Sequence, residues 1–297
     1  MRLWLCGVAC SLLLPWLVQA TDTASPVQSK PRIHWVQLDF PPYYLKTSND
    51  GRDESVAALL ESYLPQFEFR RLQVPASRLM KSLDDAQGAN VCVLSLYRTP
   101  EREQRLLFSK HPSTFGLPIE LITRTELLPQ LAEFRHGDRY SLAEILRKFP
   151  QAVGITASRS FGATLDELLQ DKRVTRLAGE TALGSLLGMV SRSRLDYALG
   201  YPDEMVYLSR MQRMTNLVSL PLTETASFSL GFVGCNATAD NAAMIDALNQ
   251  RWPEIYNDVN YLALVQRWLE TDAKLRVDRV FQSYLHERGF IRREAAQ

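Results

Sequence analysis

The chain has 297 residues, a length that allows one or two domains of ~100 to 200 residues each. Its 34 lysine and arginine residues balance 33 aspartate and glutamate residues, and 46% of the residues are hydrophobic. Proteins that bind nucleic acid or acidic lipid through charge usually carry an excess of basic residues. The balance therefore gives no support to nucleic acid or a lipid surface as a partner.

The first twenty residues have the pattern of a signal peptide. Arg2 precedes an apolar run over Leu3–Val18, and Val18-Gln19-Ala20 comes before a polar stretch. Such a run ahead of small residues is typical of a secretory signal, cleaved here after Ala20. An uncleaved anchor is the alternative, although the run is shorter than the ~20 residues that span a bilayer. We expect residues 1–20 to be removed and a soluble exported protein, residues 21–297, to remain.

Apolar periodicity predicts strands and helices that alternate along the rest of the chain. This alternation favours βαβ units and mostly parallel sheets. The predicted strands are Ile33–Leu38, Phe67–Val74, Val91–Leu96, Ile119–Thr123, Ala152–Thr156, Val174–Leu177, Tyr197–Gly200 and Ser227–Val233. The predicted helices are Asp53–Leu64, Ala76–Leu83, Leu142–Phe149, Gly162–Leu169, Ala182–Ser191, Asn241–Arg251 and Tyr261–Glu270, with one more inside Thr271–Arg293.

The order of these elements predicts two α/β lobes joined by two crossover strands. The chain forms part of lobe 1 (residues 21–122), builds lobe 2 (residues 123–225) and returns to lobe 1 (residues 226–297). Ligands of open α/β sheets lie outside the carboxyl ends of the strands, and a cleft between lobes is a second favoured place. Candidate binding residues are therefore sought directly after strands.

After the leader, the chain keeps only two cysteines, Cys92 and Cys235. Cysteines in an oxidising compartment are often paired. Both lie in apolar, strand-like runs, so two separate buried thiols are an equally good interpretation.

Arg102 is the first candidate binding residue. It follows the strand Val91–Leu96, near Ser95 and Thr99, and Phe108-Ser109 comes six and seven residues later. An arginine in this position can bind a carboxylate through two parallel hydrogen bonds. The alternative is one more cation on a charged surface stretch, which is how we interpret Arg98 and Arg105.

Two further segments follow strands in the same way. Phe40 and Tyr43 flank a Pro-Pro pair after the first strand, where they form either a ligand wall or ordinary core. Ser158, Arg159 and Ser160 precede a predicted helix, whose free N–H groups and hydroxyls suit an anion. A plain helix cap at Ser160 is the alternative, but it leaves Arg159 without a role.

Taken together, these three segments resemble family 3 of the extracellular solute-binding proteins, over roughly residues 31 to 270. The resemblance implies a two-lobed periplasmic binding protein fold, in which Arg102 binds the α-carboxylate of an amino-acid-like ligand and Phe40 packs on its side chain. It also implies an inner-membrane ABC permease or a sensor as partner. Amino-acid receptors of this family place an ammonium-binding aspartate where this chain has Tyr201, which favours an anionic ligand without a free α-amine. Asp203 and Glu204 follow Tyr201 closely.

The resulting hypothesis is a monomeric periplasmic protein that binds a small carboxylate solute for transport or sensing. We expect no catalytic residues, no cofactor and no metal, because the four histidines lack metal-ligand spacing and no catalytic motif is present. Two alternatives remain: a dehydratase-like periplasmic enzyme on the same fold, with Asp203 or Glu204 as acid or base, and a sensory or interaction domain with a degenerate cleft.

Overall fold

The computed structural model describes residues 29–45, 48–149, 153–157, 159–170, 174–179 and 181–290. The predicted signal peptide and its cleavage site lie outside these residues, and so does Ser158. Among the described residues, no helix is both long enough and apolar enough to cross a membrane.

Strands and helices alternate along the described chain as the periodicity predicts. The strands are β1 (Arg32–Leu38), β2 (Glu68–Val74), β3 (Val91–Leu96), β4 (Leu106–Phe108), β5 (Thr114–Gly116), β6 (Glu120–Arg124), β7 (Arg135–His136), β8 (Arg139–Tyr140), β9 (Val153–Thr156), β10 (Thr175–Leu177), β11 (Tyr197–Gly200), β12 (Leu217–Leu220) and β13 (Ser229–Asn236). The α-helices are α1 (Arg52–Ser62), α2 (Leu79–Asp84), α3 (Pro100–Glu103), α4 (Leu128–Leu131), α5 (Leu142–Lys148), α6 (Ala163–Leu168), α7 (Ala182–Ser191), α8 (Pro202–Gln212), α9 (Ala239–Tyr256), α10 (Tyr261–Val265) and α11 (Thr271–Glu287).

These elements form two lobes, each built on one sheet. Lobe 1 contains the strand order β2-β1-β3-β13-β4, with β5 also paired to β13, and lobe 2 contains β10-β9-β11-β6-β12. Strands β1, β2 and β3 run parallel, as do β9, β10 and β11. The strands β6 and β13 enter their sheets from the other lobe and pair antiparallel with their neighbours. The sheets are therefore mixed, with less parallel pairing than alternation alone predicts.

Both faces of each sheet are covered, which explains the nearly continuous apolar strands. In β6 of lobe 2, Leu121 packs in one hydrophobic cluster and its neighbour Ile122 packs in another, on the opposite face. In β1 of lobe 1, Trp35 and Val36 divide between two clusters in the same way. When both faces of a strand are buried, its successive side chains are all apolar and do not alternate between apolar and polar.

Two chain segments connect the lobes, as predicted. One runs from β5 into β6, and the other runs from β12 into β13. The first residues of β13 pair antiparallel with β5, so that Gly231 lies opposite Thr114 and Ser229 lies opposite Gly116. The connections therefore run side by side, which is the arrangement needed for a hinge between two lobes.

The C-terminal helix α11 packs on lobe 1 and also contacts the hinge. Val277, Phe281 and Leu285 are buried in the main core of lobe 1. On another face of this helix, Arg276 forms an ion pair with the fully buried Glu120 at the start of β6. The tail of the chain thus joins the core of lobe 1 to the first strand of lobe 2.

Several elements differ from the sequence-based predictions. The longest element that was not predicted is helix α8; strands β4, β5, β7, β8 and β12 and the short helices α3 and α4 were not predicted either, and the helix predicted over Tyr261–Glu270 ends at Val265. Proline at the first position of α8 suits a helix start, although it suggests a loop when the sequence is read alone. Helix α9 continues past Pro253 because Trp252, Ile255 and Tyr256 are buried in the core.

Cys92 and Cys235 form a disulfide between neighbouring strands. They lie opposite each other on β3 and β13 and are separated by 143 residues in sequence. Of the two interpretations that the sequence left open, the paired one is therefore correct in this structure.

We expect the double variant Cys92→Ala/Cys235→Ala to lose about 2–5 kcal/mol of unfolding free energy, because the bond closes a long loop in the unfolded chain. Urea unfolding of the wild-type and variant proteins measures this loss. A reducing agent should destabilise the wild type and leave the variant unchanged. Equal stability of the two oxidised proteins would contradict a structural role for the disulfide.

Candidate functional site

The loop after β3 holds Arg102 against Tyr97, whose hydroxyl contacts Tyr201 of lobe 2. Thr99 caps the short helix α3 by accepting a hydrogen bond from the Arg102 backbone N–H at 3.3 Å. The Arg102 Nη1 donates to the Tyr97 carbonyl at 2.7 Å. Its neighbours Arg98 and Arg105 both pair with carboxylates. Within the described part of the chain, Arg102 has no carboxylate partner.

Ser95 lies at the end of β3 in a strained backbone conformation. Its φ of 57° is in the left-handed region, which residues with a side chain rarely adopt. The neighbouring strand approaches closely, because a Cβ added to Gly231 would lie 2.5 Å from the Ser95 Cα. The Ser95 hydroxyl contacts the Thr114 hydroxyl at 2.8 Å and accepts from the Arg52 Nη2 at 3.3 Å. Strain held at a strand end is a common property of binding sites.

Asp203 connects lobe 2 to two residues of lobe 1. It lies in the first turn of α8, where the Tyr43 hydroxyl donates to its Oδ1 at 2.7 Å and the Arg52 Nη1 donates to its Oδ2 at 3.1 Å. Burial raises the pKa of the Asp203 carboxyl above its usual range, and the Arg52 charge and the Tyr43 hydrogen bond offset part of that shift. A buried ion pair thus holds the two lobes together.

Arg159 lies between two aromatic rings at the same boundary. Its guanidinium carbon is 5.4 Å from the ring centroid of Phe40 in lobe 1 and 5.4 Å from that of Tyr201 in lobe 2. Its two terminal nitrogens donate to the two carboxylate oxygens of Glu204, at 2.6 and 2.7 Å. The Tyr201 hydroxyl lies 3.0 Å from the Tyr97 hydroxyl, which adds a further contact between the lobes.

Five predicted site residues belong to one connected set of contacts: Phe40, Tyr43, Ser95, Arg159 and Tyr201. We call this set, together with Arg52, Tyr97, Asp203 and Glu204, the interlobe network. Thr99 and Arg102 adjoin it through the Tyr97 carbonyl. Ser160 does not join it, because its hydroxyl donates to Asp166 at 2.5 Å near the start of α6. Ser158 lies outside the described residues.

Arg52 and Tyr97 are the members of the network that sequence reasoning missed, and Arg52 is the more deeply buried. Arg52 opens α1 in the sequence Gly51-Arg52-Asp53-Glu54, which resembles an ordinary charged helix start. Only 11% of its side chain is exposed, and Asp203 lies 151 residues away in sequence. The short Gly-Arg-Asp-Glu motif gave no signal of that partner. Within the described residues, no group of histidine, cysteine, aspartate and glutamate side chains could hold a metal ion.

We expect Arg159→Met to lower the free energy of unfolding by about 3–5 kcal/mol, because it leaves the buried Glu204 carboxylate without a cation. The double variant Arg159→Met/Glu204→Gln should recover most of that loss, since no unpaired charge remains. Denaturant unfolding of the wild type, both single variants and the double variant measures the coupling. Additive losses would show that the two side chains do not interact as described.

No protein-family model matches this sequence, and a comparison with curated protein sequences found no match. Solved structures do match it. The probable amino-acid ABC transporter extracellular-binding protein ytmK from Bacillus subtilis has a TM-score of 0.61 at 17% identity, over 82% of this chain and 100% of its own. A histidine kinase sensor domain similar to periplasmic binding proteins has a TM-score of 0.58 at 16% identity, over 81% of this chain and 96% of its own.

An ancestral amino-acid-binding protein, described as a precursor of cyclohexadienyl dehydratase, has a TM-score of 0.55 at 17% identity, over 80% of this chain and 95% of its own. These proteins include a transporter component, a sensor domain and the precursor of an enzyme, so the likeness defines a fold and not one activity. The chain has the two-lobed fold of the extracellular amino-acid-binding proteins.

Proposed function

We propose that this chain is an exported solute-binding protein that captures a small carboxylate-bearing solute between its lobes. The fold supports this proposal, because it is shared with extracellular binding proteins of amino-acid transporters. The two segments that connect the lobes support it too. They run side by side, and such a hinge lets two lobes separate and close around a ligand.

The observation that carries the carboxylate proposal is that Arg102, within the described part of the chain, has no carboxylate partner. The arginines on either side of it, Arg98 and Arg105, are neutralised by carboxylates of lobe 1. Arg102 is instead oriented by one hydrogen bond to the Tyr97 carbonyl, beside the contact between Tyr97 and Tyr201. A guanidinium with remaining donors can bind a ligand carboxylate through two parallel hydrogen bonds.

The same network argues for a ligand without a free α-amine. The two carboxylates that follow Tyr201 both have arginine partners within the protein: Asp203 binds Arg52, and Glu204 binds Arg159. An ammonium group buried here would lack a free carboxylate, and an unpaired buried charge is costly. Hydroxy acids and keto acids are therefore the preferred class.

We propose the periplasm as the location and an ABC permease or a sensor as the partner of the ligand-bound form. The predicted leader supports export, and the disulfide between Cys92 and Cys235 suits an oxidising compartment. Proteins of the same fold support both kinds of partner, because one is a component of a transporter and another is the sensor domain of a histidine kinase.

An enzyme on the same fold is the second candidate. The observation that favours it is Asp203, a buried carboxylate whose raised pKa suits a general acid. One structural neighbour is described as a dehydratase precursor. Product analysis on any acid that binds would separate this candidate from binding alone.

We expect Arg102→Ala to weaken binding of a carboxylate ligand while the fold is retained. Loss of a charge-assisted bidentate pair costs about 2–5 kcal/mol, which is at least ~30-fold in Kd. Titration calorimetry measures the loss for an acid that shifts the thermal unfolding of the wild type.

Arg98→Ala is the matched control, because it removes a neighbouring cation that already has a partner in Glu103. The control should retain wild-type affinity within a few-fold. Equal affinities of the wild type and Arg102→Ala would make Arg102 a surface charge.

A further inference from the structure

Arg52 lies inside a set of groups that together have the chemistry of a binding site for an organic cation. Its Nε donates to Asp53 Oδ1 at 2.8 Å, its Nη1 donates to Asp203 Oδ2 at 3.1 Å, and its Nη2 donates to the Ser95 hydroxyl at 3.3 Å. The guanidinium carbon lies 4.2 Å from the ring centroid of Tyr43. We call Tyr43, Asp53, Ser95 and Asp203 the Arg52 cage.

The cage combines two carboxylates with an aromatic face, which is how proteins bind guanidinium and ammonium groups of ligands. It is also desolvated, because the side chains of Asp53 and Asp203 are only 3% and 10% exposed. Buried carboxylates need a cation, and here that cation comes from the chain itself. Three of the cage residues belong to lobe 1 and Asp203 belongs to lobe 2.

Three of the about four acceptor sites of the Asp203 carboxylate are used within the protein. Its Oδ1 accepts from the Tyr43 hydroxyl and from the Glu204 backbone N–H, at 2.7 and 3.0 Å. Its Oδ2 accepts from Arg52. An ammonium group brought to this carboxylate would also be repelled by the neighbouring guanidinium.

We propose that Arg52 is a built-in occupant of a cation-binding site at the lobe boundary, and that its presence excludes solutes that carry an ammonium group. The second half rests on the proposed function, whereas the first half does not. Arg52 then acts as a specificity-determining residue: it fills the place where a ligand cation would bind and leaves the carboxylate of the ligand to Arg102.

A purely structural ion pair is the competing explanation. In both cases truncation of Arg52 destabilises the protein and leaves a vacant place that an external cation of the same shape can fill. A purely structural arginine leaves the ligand preference unchanged, whereas an arginine that excludes ammonium groups shifts the preference towards amines when it is removed. The ligand preference therefore separates the two explanations.

The test uses the mature protein, the variant Arg52→Ala and methylguanidinium, followed by thermal unfolding. Arg52→Ala should have a lower Tm than the wild type, and millimolar methylguanidinium should raise it in a saturable way. The wild type should show no increase, because its cage is filled. The double variant Arg52→Ala/Asp203→Asn should also show none, because the anchoring carboxylate is gone. If Arg52→Ala does not fold alone, methylguanidinium should restore its folded circular dichroism spectrum.

The specificity half is tested with four pairs of probes: lactate and alanine, phenyllactate and phenylalanine, malate and aspartate, and 2-hydroxyglutarate and glutamate. The wild type should prefer the hydroxy acid of each pair that binds, and Arg52→Ala should shift that preference towards the amino acid by about 10-fold or more. Arg52→Lys keeps a cation in the cage and should keep the wild-type preference.

The two experiments test the cation site and the exclusion of ammonium groups separately. No response of Arg52→Ala to methylguanidinium, or an equal response of the Asp203→Asn double variant, overturns the cation site. An unchanged preference in Arg52→Ala overturns the exclusion of ammonium groups. If the wild type binds none of the acids, the exclusion of ammonium groups falls with the proposed function, and the methylguanidinium response still decides whether the cation site exists.

Discussion

The arrangement of this molecule depends on the burial of charge where its two lobes meet. Asp203, at the start of α8, is a carboxylate removed from water, and Tyr43 and Arg52 reach it from the other lobe to stabilise it. Glu204 obtains Arg159 within its own lobe. The ion pair with Arg52 therefore neutralises the Asp203 charge across the contact between the lobes.

The surrounding fold positions Arg52 of lobe 1 and Asp203 of lobe 2 so that they meet. Strained Ser95 and the close approach of Gly231 place a hydroxyl against Arg52 at the point where the return strand enters lobe 1. The disulfide fixes that return strand to β3. On the other side, Arg276 of the C-terminal helix binds the first strand of lobe 2. The two side-by-side connections between the lobes therefore have a fixed base.

Sequence alone predicts the elements that are buried on both faces, such as Val91–Leu96, Ala182–Ser191 and Tyr197–Gly200, whose bounds agree with the structure. Local apolar runs carry that information. Helix α8 was missed because its proline start reads as a loop.

The candidate site could be predicted where residues follow strands, as Arg102 and Tyr201 do. The role of Arg52 could not, because it depends on a partner 151 residues away and on burial of a charge that usually lies on the surface.

The function proposed here requires that the lobes hold a carboxylate ligand without an ammonium group. The protein is purified from its native compartment without being unfolded, so that a bound ligand is retained. It is then denatured, and the small molecule that it releases is identified by mass spectrometry. We expect a carboxylic acid without a free amine, recovered from the wild type and lost in Arg102→Ala. Recovery of an amino acid with a free α-amine, or of a molecule without a carboxylate, would contradict it.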